Sequence, residues 1–397
     1  MNKAIAITDS IYWVGVNDKE TDIFESLWPL PNGVAYNSYL MLGEKTALID
    51  TVHISYQDDF LDKIKDVLGE KELDYLVINH MEPDHSGSIR ALKQAFPNLQ
   101  IVGNEKTAKF LKGFYNIEEI KVIKDQETID LGNRKLTFYL TPMVHWPETM
   151  MTYDTKDKML FAGDAFGGFG AFHGGIFDDE IDIDFYEDEI RRYFANIVAK
   201  YSPMVQKAYA KLSHLDLQII ASTHGPIWRE NPQYIIDTYV KYSSYDCDEG
   251  VVIVYGSMYG NTKKMAQEIA RGVSDGGVKK IRLYDASRTH ISYLLSDIWK
   301  YKGMILGACT YNNELFPPVA ALTSALENRR MKNHILGIFG SYSWSGGAVK
   351  DLRAFNDKLK YELVEPVVEA QYSPDDDILE DCYRLGQNMA KKIKESL

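Results

Sequence analysis

The sequence is poor in cysteine, in positive charge and in long apolar runs. Only three of its 397 residues are cysteine, and no two of them form a Cys-x-x-Cys pair. This excludes a disulfide framework, a four-cysteine iron site and a cysteine-ligated iron–sulfur cluster. Lysine and arginine number 44 against 57 aspartates and glutamates, and the net charge of −13 disfavours nucleic acid and anionic membranes as partners.

No apolar run approaches the length of a membrane span. Residues 251–255 are among the longest such runs, and a membrane-spanning helix needs about 20 apolar residues. The first residues also lack the apolar stretch and small-residue cleavage site of a secretory signal. We therefore expect a cytoplasmic protein with no membrane partner.

The chain divides near residues 243–250, a polar and turn-rich stretch that reads as a linker. At roughly 150 residues per domain, the length predicts two or three domains. Seven of the nine histidines precede Cys247, so a metal site is expected in the first half. We assign one domain to residues 1–246 and another to residues 250–397.

Both halves alternate strand-like and helix-like segments. In the first half the mixture predicts a layered α/β domain. In the second half, near-continuous apolar strands between amphipathic helices predict a doubly wound parallel sheet. The predicted strands are residues 46–50, 75–79, 135–140, 159–162 and 217–222 in the first half, and residues 251–255, 304–306 and 335–339 in the second.

A dense group of potential metal ligands follows the predicted strand at residues 75–79. His80, Glu82, Asp84 and His85 lie within six residues of one another. Pro83 disfavours helix at Glu82, so we expect an irregular loop whose side chains converge.

Three more candidate ligands, His145, Asp164 and His224, follow later predicted strands. A lone histidine is usually structural, but repeated placement at strand ends predicts a metal site on one edge. Seven donors exceed the four of a structural zinc and suit two ions that share a bridging carboxylate. Three carboxylates and no thiolate favour iron or manganese over zinc.

A second candidate site follows the strand at residues 251–255. A turn of small and hydroxyl-bearing residues leads into an amphipathic helix, where unpaired N–H groups and the helix dipole favour a phosphate. Polar and aromatic residues after the next two strands can cover a flat ring. A flat ring with one phosphate predicts FMN. The candidate residues are Ser257, Met258, Tyr259, Gly260, Asn261, Thr262, Thr310, Tyr311, Asn312, Asn313, Ser341, Tyr342, Ser343, Trp344, Ser345 and Gly346.

These motifs resemble those of the flavodiiron proteins, also called A-type flavoproteins, over essentially the whole chain. The seven candidate ligands follow that family's order, and residues 257–262 resemble the flavodoxin-type phosphate loop. The resemblance implies an N-terminal metallo-β-lactamase-like αβ/βα sandwich followed by a C-terminal flavodoxin-like doubly wound parallel sheet. Glu82 stands where the related zinc hydrolases usually have histidine.

The resemblance also implies a role for each site residue. Tyr193 and Trp344 are similar to near-site residues of the family, and we expect them to take part in catalysis. The implied ligands are His80, Glu82 and His145 for one iron and Asp84, His85 and His224 for the other, with Asp164 as the bridge.

The implied activity is reduction of O2 to water, of NO to N2O, or of both, at a non-haem di-iron site with electrons relayed through FMN. Donors in the family are rubredoxin, a rubredoxin-like domain or, in some methanogens, a reduced deazaflavin. The sequence up to Leu397 contains no rubredoxin-like domain, so we expect the electron donor to be a separate molecule. The resemblance further implies a head-to-tail homodimer, or a dimer of dimers, in which FMN of one chain faces the iron pair of another.

One departure from the family leaves the choice between O2 and NO open. Several members carry a histidine before the segment that begins at Tyr36, whereas residues 22–35 here contain none. Two other functions also stay open, a di-zinc hydrolase with a regulatory flavodoxin domain and a non-enzymatic electron carrier or gas sensor. Glu82 and the complete ligand set count against the hydrolase.

Overall fold

The computed structural model describes residues 3–396, which fold into two compact units. The first unit ends at Val240 and the second begins at Lys241. The predicted domain limits, 1–246 and 250–397, stay a prediction.

Short strands make up most of the first unit. In chain order they are β1 (Ile5–Ala6), β2 (Ile11–Trp13), β3 (Val16–Asp18), β4 (Ile23–Phe24), β5 (Trp28–Pro29), β6 (Val34–Tyr36), β7 (Tyr39–Met41), β8 (Ala47–Ile49), β9 (Tyr75–Val77), β10 (Gln100–Gly103), β11 (Lys121–Val122), β12 (Thr128–Asp130), β13 (Lys135–Leu140), β14 (Met150–Asp154), β15 (Met159–Phe161), β16 (Ile219–Ala221) and β17 (Ile227–Trp228).

Helices alternate with these strands, and the last of them crosses into the second unit. They are α1 (Gln57–Leu68), α2 (Pro83–Ser86), α3 (Ile89–Ala95), α4 (Glu105–Tyr115), α5 (Ile183–Tyr193), α6 (Ser202–Leu212) and α7 (Pro232–Ser243). A π-helical turn, Phe194–Val198, and 3₁₀ turns at Ile54–Tyr56 and Ala199–Tyr201 complete the helical segments of this unit as described.

Two mixed sheets form the core of the first unit. One has the order β1-β2-β7-β8-β9-β10-β11, and the other runs β12 to β17 in sequence. The sheets pack face to face, since the hydroxyl of Tyr39 on β7 donates to the carbonyl of Ser222 just after β16 and its ring packs on Phe161 of β15. β8, β14 and β15 are buried at every position, as strands covered on both faces are. The predicted α/β layers are confirmed.

One local expectation for the first unit is wrong. The segment with four candidate ligands is not an irregular loop throughout, because a helical turn, α2, starts at Pro83. Glu82 is extended (φ −59°, ψ 140°), as a residue before proline prefers, and serves as the N-cap. Proline suits the first helical position because its missing N–H would have no partner there.

The second unit is a parallel sheet with helices between its strands. Its strands are β18 (Asp248–Gly256), β19 (Ile281–Asp285), β20 (Tyr301–Tyr311), β21 (Glu314–Leu315), β22 (Ile335–Tyr342) and β23 (Glu362–Gln371). Its helices are α8 (Asn261–Asp275), α9 (Ile291–Lys300), α10 (Pro317–Arg329), α11 (Ala348–Leu359) and α12 (Asp376–Ser396).

The strand order β19-β18-β20-β22-β23 is that of a doubly wound sheet, and these neighbours pair in parallel. The apolar face of α8, including Met265 and Ile269, packs on Val251, Ile253 and other strand residues. The predicted parallel sheet is confirmed.

The strands of the second unit are longer than their apolar cores predict. Thr310 and Tyr311 end β20, and Ser341 and Tyr342 end β22, so these four candidates lie in strands and not in loops. β20 continues because it pairs with β21 through a two-residue turn at Asn312 and Asn313. Both have positive φ (51° and 63°), a conformation that asparagine tolerates in tight hairpins.

The predicted linker is also shorter than expected. α7 continues to Ser243, and β18 begins at Asp248. Residues 248–250 therefore belong to the sheet. No helix within residues 3–396 is both long and apolar enough to span a membrane.

Candidate functional sites

The seven predicted ligands converge in the first unit. His80, Glu82, Asp84 and His85 come from the segment after β9, and His145, Asp164 and His224 follow β13, β15 and β16. Two groups of facing donor atoms result, with all atoms of a group within 4.8 Å of one another. The groups are His80, Glu82, His145 and Asp164, and Asp84, His85 and His224.

Asp164 faces both groups with different oxygen atoms. Oδ2 lies 3.0 Å from Nε2 of His145 and 3.5 Å from Nε2 of His80. Oδ1 lies 3.0 Å from Nε2 of His85 and 3.9 Å from Nε2 of His224. One carboxylate can therefore bridge two ions, each held by one of the groups.

Outer partners fix the orientation of two of the imidazoles. Nδ1 of His80 lies 2.8 Å from Oε1 of the buried Glu148, and Nδ1 of His224 lies 2.8 Å from the carbonyl oxygen of Ala35. Both acceptors favour the tautomer with hydrogen on Nδ1, which leaves the Nε2 lone pair facing the other donors. Asp50 holds the start of the ligand segment by accepting from the backbone N–H groups of Asn79 and His80.

Aromatic rings enclose the second group of donors. The rings of Phe24, Tyr36 and Tyr193 lie 5.4, 5.7 and 5.4 Å from the ring of His224. Tyr193 is fully buried, and its hydroxyl has no hydrogen-bond partner in the described chain. A buried, unpartnered hydroxyl is costly unless something binds to it.

The charges of the donors are strongly coupled. Burial alone lowers the pKa of His85, but the adjacent charges of Asp84 and Asp164 raise that pKa to about 10. Burial likewise lowers the pKa of His145, and its hydrogen bonds with Asp164 and Glu82 raise the pKa to about 9. The carboxylates therefore require positive charge beside them, which protons or metal cations can supply.

The second unit has a cavity at the carboxyl ends of β18, β20 and β22. Thr262, at the start of α8, and Ser341, near the end of β22, contact each other there, with their hydroxyl oxygens 2.9 Å apart. Gly260 is the N-cap residue of α8, with φ 95°, and has no side chain that could accept from the first N–H groups of the helix. These N–H groups therefore lie at the cavity without a partner inside the helix. The lining residues are Ser257, Met258, Tyr259, Asn261, Thr262, Cys309, Thr310, Ser341, Tyr342, Ser343 and Tyr372.

Several predicted flavin-site residues do not line this cavity. Tyr311 and Trp344 are exposed, Trp344 by 84%. Thr310, by contrast, does line the cavity, and its hydroxyl oxygen accepts from the N–H groups of Gly347 and Ala348, which ties the loop after β22 to β20. The other predicted residues outside the lining are Gly260, Asn312, Asn313, Ser345 and Gly346.

Known proteins share both units. A family model described as ODP family beta lactamase matches residues 34–225, and a flavodoxin model matches residues 253–386. The structure of rubredoxin oxygen:oxidoreductase from the anaerobe Desulfovibrio gigas superposes with a TM-score of 0.95 at 32% identity, over 99% of each chain. A flavodiiron protein from Giardia intestinalis gives a TM-score of 0.95 at 28% identity, over 99% of this chain and 97% of the other.

The similarity also extends along the full sequence. The nitric oxide reductase of Moorella thermoacetica is 34% identical over 401 aligned residues, which cover 100% of both chains. The chain belongs to the flavodiiron protein family. The predicted family and the predicted fold, a β-lactamase-like unit followed by a flavodoxin-like unit, are thereby confirmed.

The donor set of this flavodiiron protein fits two iron ions. Oδ2 of Asp84 lies 3.1 Å from Nε2 of His85 and 3.3 Å from Nε2 of His224, while Oδ1 of Asp84 and Nδ1 of His85 are buried without a hydrogen bond among residues 3–396. A cation between Asp84 and the Nε2 atoms of His85 and His224 would satisfy such a carboxylate. Imidazole with carboxylate, and no sulfur, suits iron.

Some flanking residues of the flavodiiron centre escaped sequence reasoning. Glu148 carries no motif of its own, although it lies only three residues after His145. Glu25, at the turn between β4 and β5, lies in the segment that lacks histidine. Its side chain hydrogen-bonds with Glu82 and accepts from Nε1 of Trp28 at 3.0 Å. Although Glu25 as a residue is exposed, partial desolvation of its carboxyl group, followed by the Glu82 charge, raises the pKa of Glu25 to about 7.

In the flavodoxin-like unit, Cys309 and Tyr372 were missed in the same way. Both residues line the cavity. Cys309 directly precedes the predicted residue Thr310, and Tyr372 directly follows β23, a strand that the sequence analysis does not predict.

Proposed function

We propose that this flavodiiron protein is an oxidoreductase that reduces O2 to water, NO to N2O, or both. The observation that carries the proposal is the position of Asp164, whose two carboxylate oxygens face two separate donor groups. When bound, an iron pair supplies redox-active ions with open coordination positions, and FMN resupplies their electrons. His80, Glu82 and His145 would hold one iron, Asp84, His85 and His224 the other, with Asp164 between them.

The chain itself positions the donors and shields them from water. Glu148 and the carbonyl of Ala35 hold His80 and His224 with Nε2 toward the centre. The rings of Phe24, Tyr36 and Tyr193 restrict water around His224. A dry, preorganised site strengthens each electrostatic interaction within it and limits side reactions.

Tyr193 is the proposed hydrogen-bond donor to the gas substrate. Burial, then the charges of Asp164 and other neighbours, raise the pKa of its phenol well above the usual value. The phenol therefore keeps its proton, and its hydroxyl stays free to donate. For Trp344 we propose a role at the flavin, because it follows the strand that supplies Ser341 and Tyr342 to the cavity.

Anaerobic purification followed by metal and flavin analysis tests the proposal. We expect two iron ions and one FMN per chain, with O2 or NO consumed only when a reductant for the flavin is supplied. Comparing the two gases on the same preparation gives the preference. Two zinc ions with hydrolysis of an ester or thioester, and no gas uptake, would instead identify a hydrolase. If the protein binds iron and FMN but turns over neither gas, the result would identify a non-enzymatic electron carrier or gas sensor.

For electron supply, we propose a separate donor, either a rubredoxin-like protein or a reduced deazaflavin. The exposed aromatic residues Tyr259 and Trp344 beside the flavin cavity support access from outside the unit, since they are exposed by 92% and 84%. Stopped-flow reduction of the bound flavin by each donor distinguishes the two. A donor that reduces the flavin slower than the steady-state rate is excluded.

We also propose that FMN of one chain serves the iron pair of another in a head-to-tail homodimer or a dimer of dimers. Exposed apolar residues occur beside each site, Ile23 and Leu27 on the β4–β5 hairpin of the first unit and Trp344 in the second. Such exposed side chains are typical of contact surfaces.

A mixed dimer tests this arrangement. Asp164→Ala removes the bridge from one chain, and Thr262→Val weakens the flavin site of the other. Co-expressed with different tags and purified as a heterodimer, the pair should regain about half the activity of the wild type if electrons cross between chains. Transfer within one chain predicts a heterodimer with no more than the residual activity of the Thr262→Val homodimer.

For location we propose the cytoplasm, a reducing compartment that suits three buried free thiols.

A further inference from the structure

An apolar cavity lies in the outer layer of the first unit, between the second sheet and two helices. Its volume is about 250 Å³. Ala208 and Leu212 of α6 and Ile236 of α7 form one side, and Met151 of β14 and Leu160 of β15 form the other. These five side chains are buried.

The chain neighbours of two predicted metal ligands line the cavity. Val144, which precedes His145, and Ala165, which follows Asp164, both line it. Asp164 therefore turns its carboxylate to the metal centre, while the next residue of the same loop borders the cavity. Val144 and Ala165 thus form a wall of the cavity next to two of the predicted ligands.

Phe166 completes this wall in an uncommon conformation. Its φ is 66°, in the left-handed region that bulky residues rarely occupy. Its ring lines the cavity and packs on Tyr239 at 5.1 Å between centroids. Such backbone strain persists only where the surroundings hold the residue in place, and it is concentrated at functional sites.

The chemistry of the lining selects the class of ligand. Its polar residues Tyr209, Ser213, Asn231 and Gln233 are exposed and form the outer rim. Among the buried lining residues, the hydroxyl of Tyr239 donates to the carbonyl of Gly167 and is therefore already bonded. Water needs about three hydrogen bonds to stay in a buried site, whereas an apolar cavity of about 150 Å³ can stay dry and bind xenon or benzene. Small uncharged diatomic molecules share xenon's preference for such a space.

We propose that this cavity binds the diatomic gas substrate and supplies it to the metal centre through the wall formed by Val144, Ala165 and Phe166. The inference rests on the proposed gas reductase function. A filled cavity would slow the delivery of O2 or NO to the metal centre. Delivery limits kcat/KM at low gas concentration, whereas the chemical step at saturating gas does not depend on it.

Xenon binding tests the cavity without reference to activity. Crystals of the purified holoenzyme under xenon pressure should show an anomalous peak among Ala208, Leu212 and Ile236. Ala208→Leu fills this space and should remove the peak. Ala210→Leu, an equal change at an exposed position on the same helix, should retain it.

Gas kinetics test the supply role. With iron and FMN contents equal to the wild type, Ala208→Leu should lower kcat/KM for O2 or NO by about threefold or more, with kcat unchanged at saturating gas. Ala210→Leu should match the wild type. Ile236→Phe fills the cavity from the opposite helix and should reproduce the effect if Ala208→Leu folds poorly.

Three results separate the possibilities. Xenon in the cavity together with a selective loss of kcat/KM supports the inference. No xenon peak, or unchanged kcat/KM in a filled and fully loaded variant, overturns it while the reductase function stands. A wild type that binds xenon but consumes neither gas overturns the proposed function, and the gas-supply role with it.

Discussion

The carboxylate of Glu148 lies 2.8 Å from Nδ1 of His80, on the opposite side of the imidazole from Glu82 and Asp164. The same oxygen also accepts from the backbone N–H of Met81 at 2.9 Å. Glu148 thus fixes both the ring and the backbone of the first predicted ligand without facing the metal position.

Replacing Glu148 should weaken metal binding in a graded way. Partners of this kind typically change metal affinity by about 10- to 100-fold, and Glu148→Ala removes both contacts. Glu148→Gln keeps an oxygen acceptor but loses the charge, so its loss should be smaller. Competition with a ferrous chelator gives the affinities. Equal affinity in wild type and both variants would show that His80 is held by other groups.

Asp164→Ala should abolish gas turnover and leave FMN bound. The substitution removes the only carboxylate in the described structure that faces both donor groups, and the cavity proposed for FMN lies in the other unit. Iron per chain should fall, while flavin per chain and the flavin spectrum stay those of the wild type. Turnover that survives with two irons bound would mean that the bridge has been misplaced.

Thr262→Val should weaken FMN binding without changing the iron content. The hydroxyl of Thr262 contacts that of Ser341 at the start of α8, where a phosphate would lie. Valine has the same shape but cannot hydrogen-bond, and one lost bond to a charged group corresponds to about 1.5–3 kcal/mol. Flavin fluorescence titration of the apoprotein measures the change, and Thr262→Ser should restore most of the affinity. A valine variant that binds FMN normally would move the phosphate elsewhere.

Gly272→Ala should destabilise the flavodoxin-like unit. A Cβ at Gly272 of α8 would lie 2.1 Å from the carbonyl oxygen of Tyr383 on α12, a backbone atom that cannot move aside. Forcing an extra methyl into such a contact typically costs about 1–3 kcal/mol.

Gly113→Ala is the matched control for this substitution. Gly113 is exposed within α4, and a Cβ there would meet nothing within 4 Å. Alanine should therefore stabilise that helix by about 0.5–1 kcal/mol. Chemical denaturation followed by circular dichroism and flavin release compares the two. Equal stability of both variants would contradict the close packing of α8 on α12.

The sequence predicted the parts of the site that local patterns encode. The strand-end pattern predicts that His145, Asp164 and His224 lie beside the segment after β9, and the structure brings these side chains together there. The pattern can do so because an apolar strand and the residue after it are adjacent in the chain. Helix α2 was missed because Pro83 has two opposite effects. Proline disfavours helix at the residue before it, but it also suits the first position of a helix. In the structure Pro83 takes that first position, and the helix begins there.

Contacts between distant segments could not be predicted in the same way. The carbonyl of Ala35 orients His224, which lies 189 positions away, and any residue type offers a carbonyl. The contact of Glu25 with Glu82 likewise depends on how the β4–β5 hairpin folds over the centre. Cys309 lines the cavity of the second unit only because β20 extends beyond its apolar core.

Tyr193→Phe should separate stability from activity. The phenol oxygen is buried with no hydrogen-bond partner among the described residues, and the ring packs against Phe169 and His224. Phenylalanine keeps the ring contacts and removes an unsatisfied polar atom, so the free energy of unfolding should stay equal or rise by about 1 kcal/mol. If the hydroxyl donates to the gas substrate, kcat should fall by about 10- to 100-fold with iron and FMN contents unchanged. A variant that is more stable and equally fast would assign Tyr193 to packing alone.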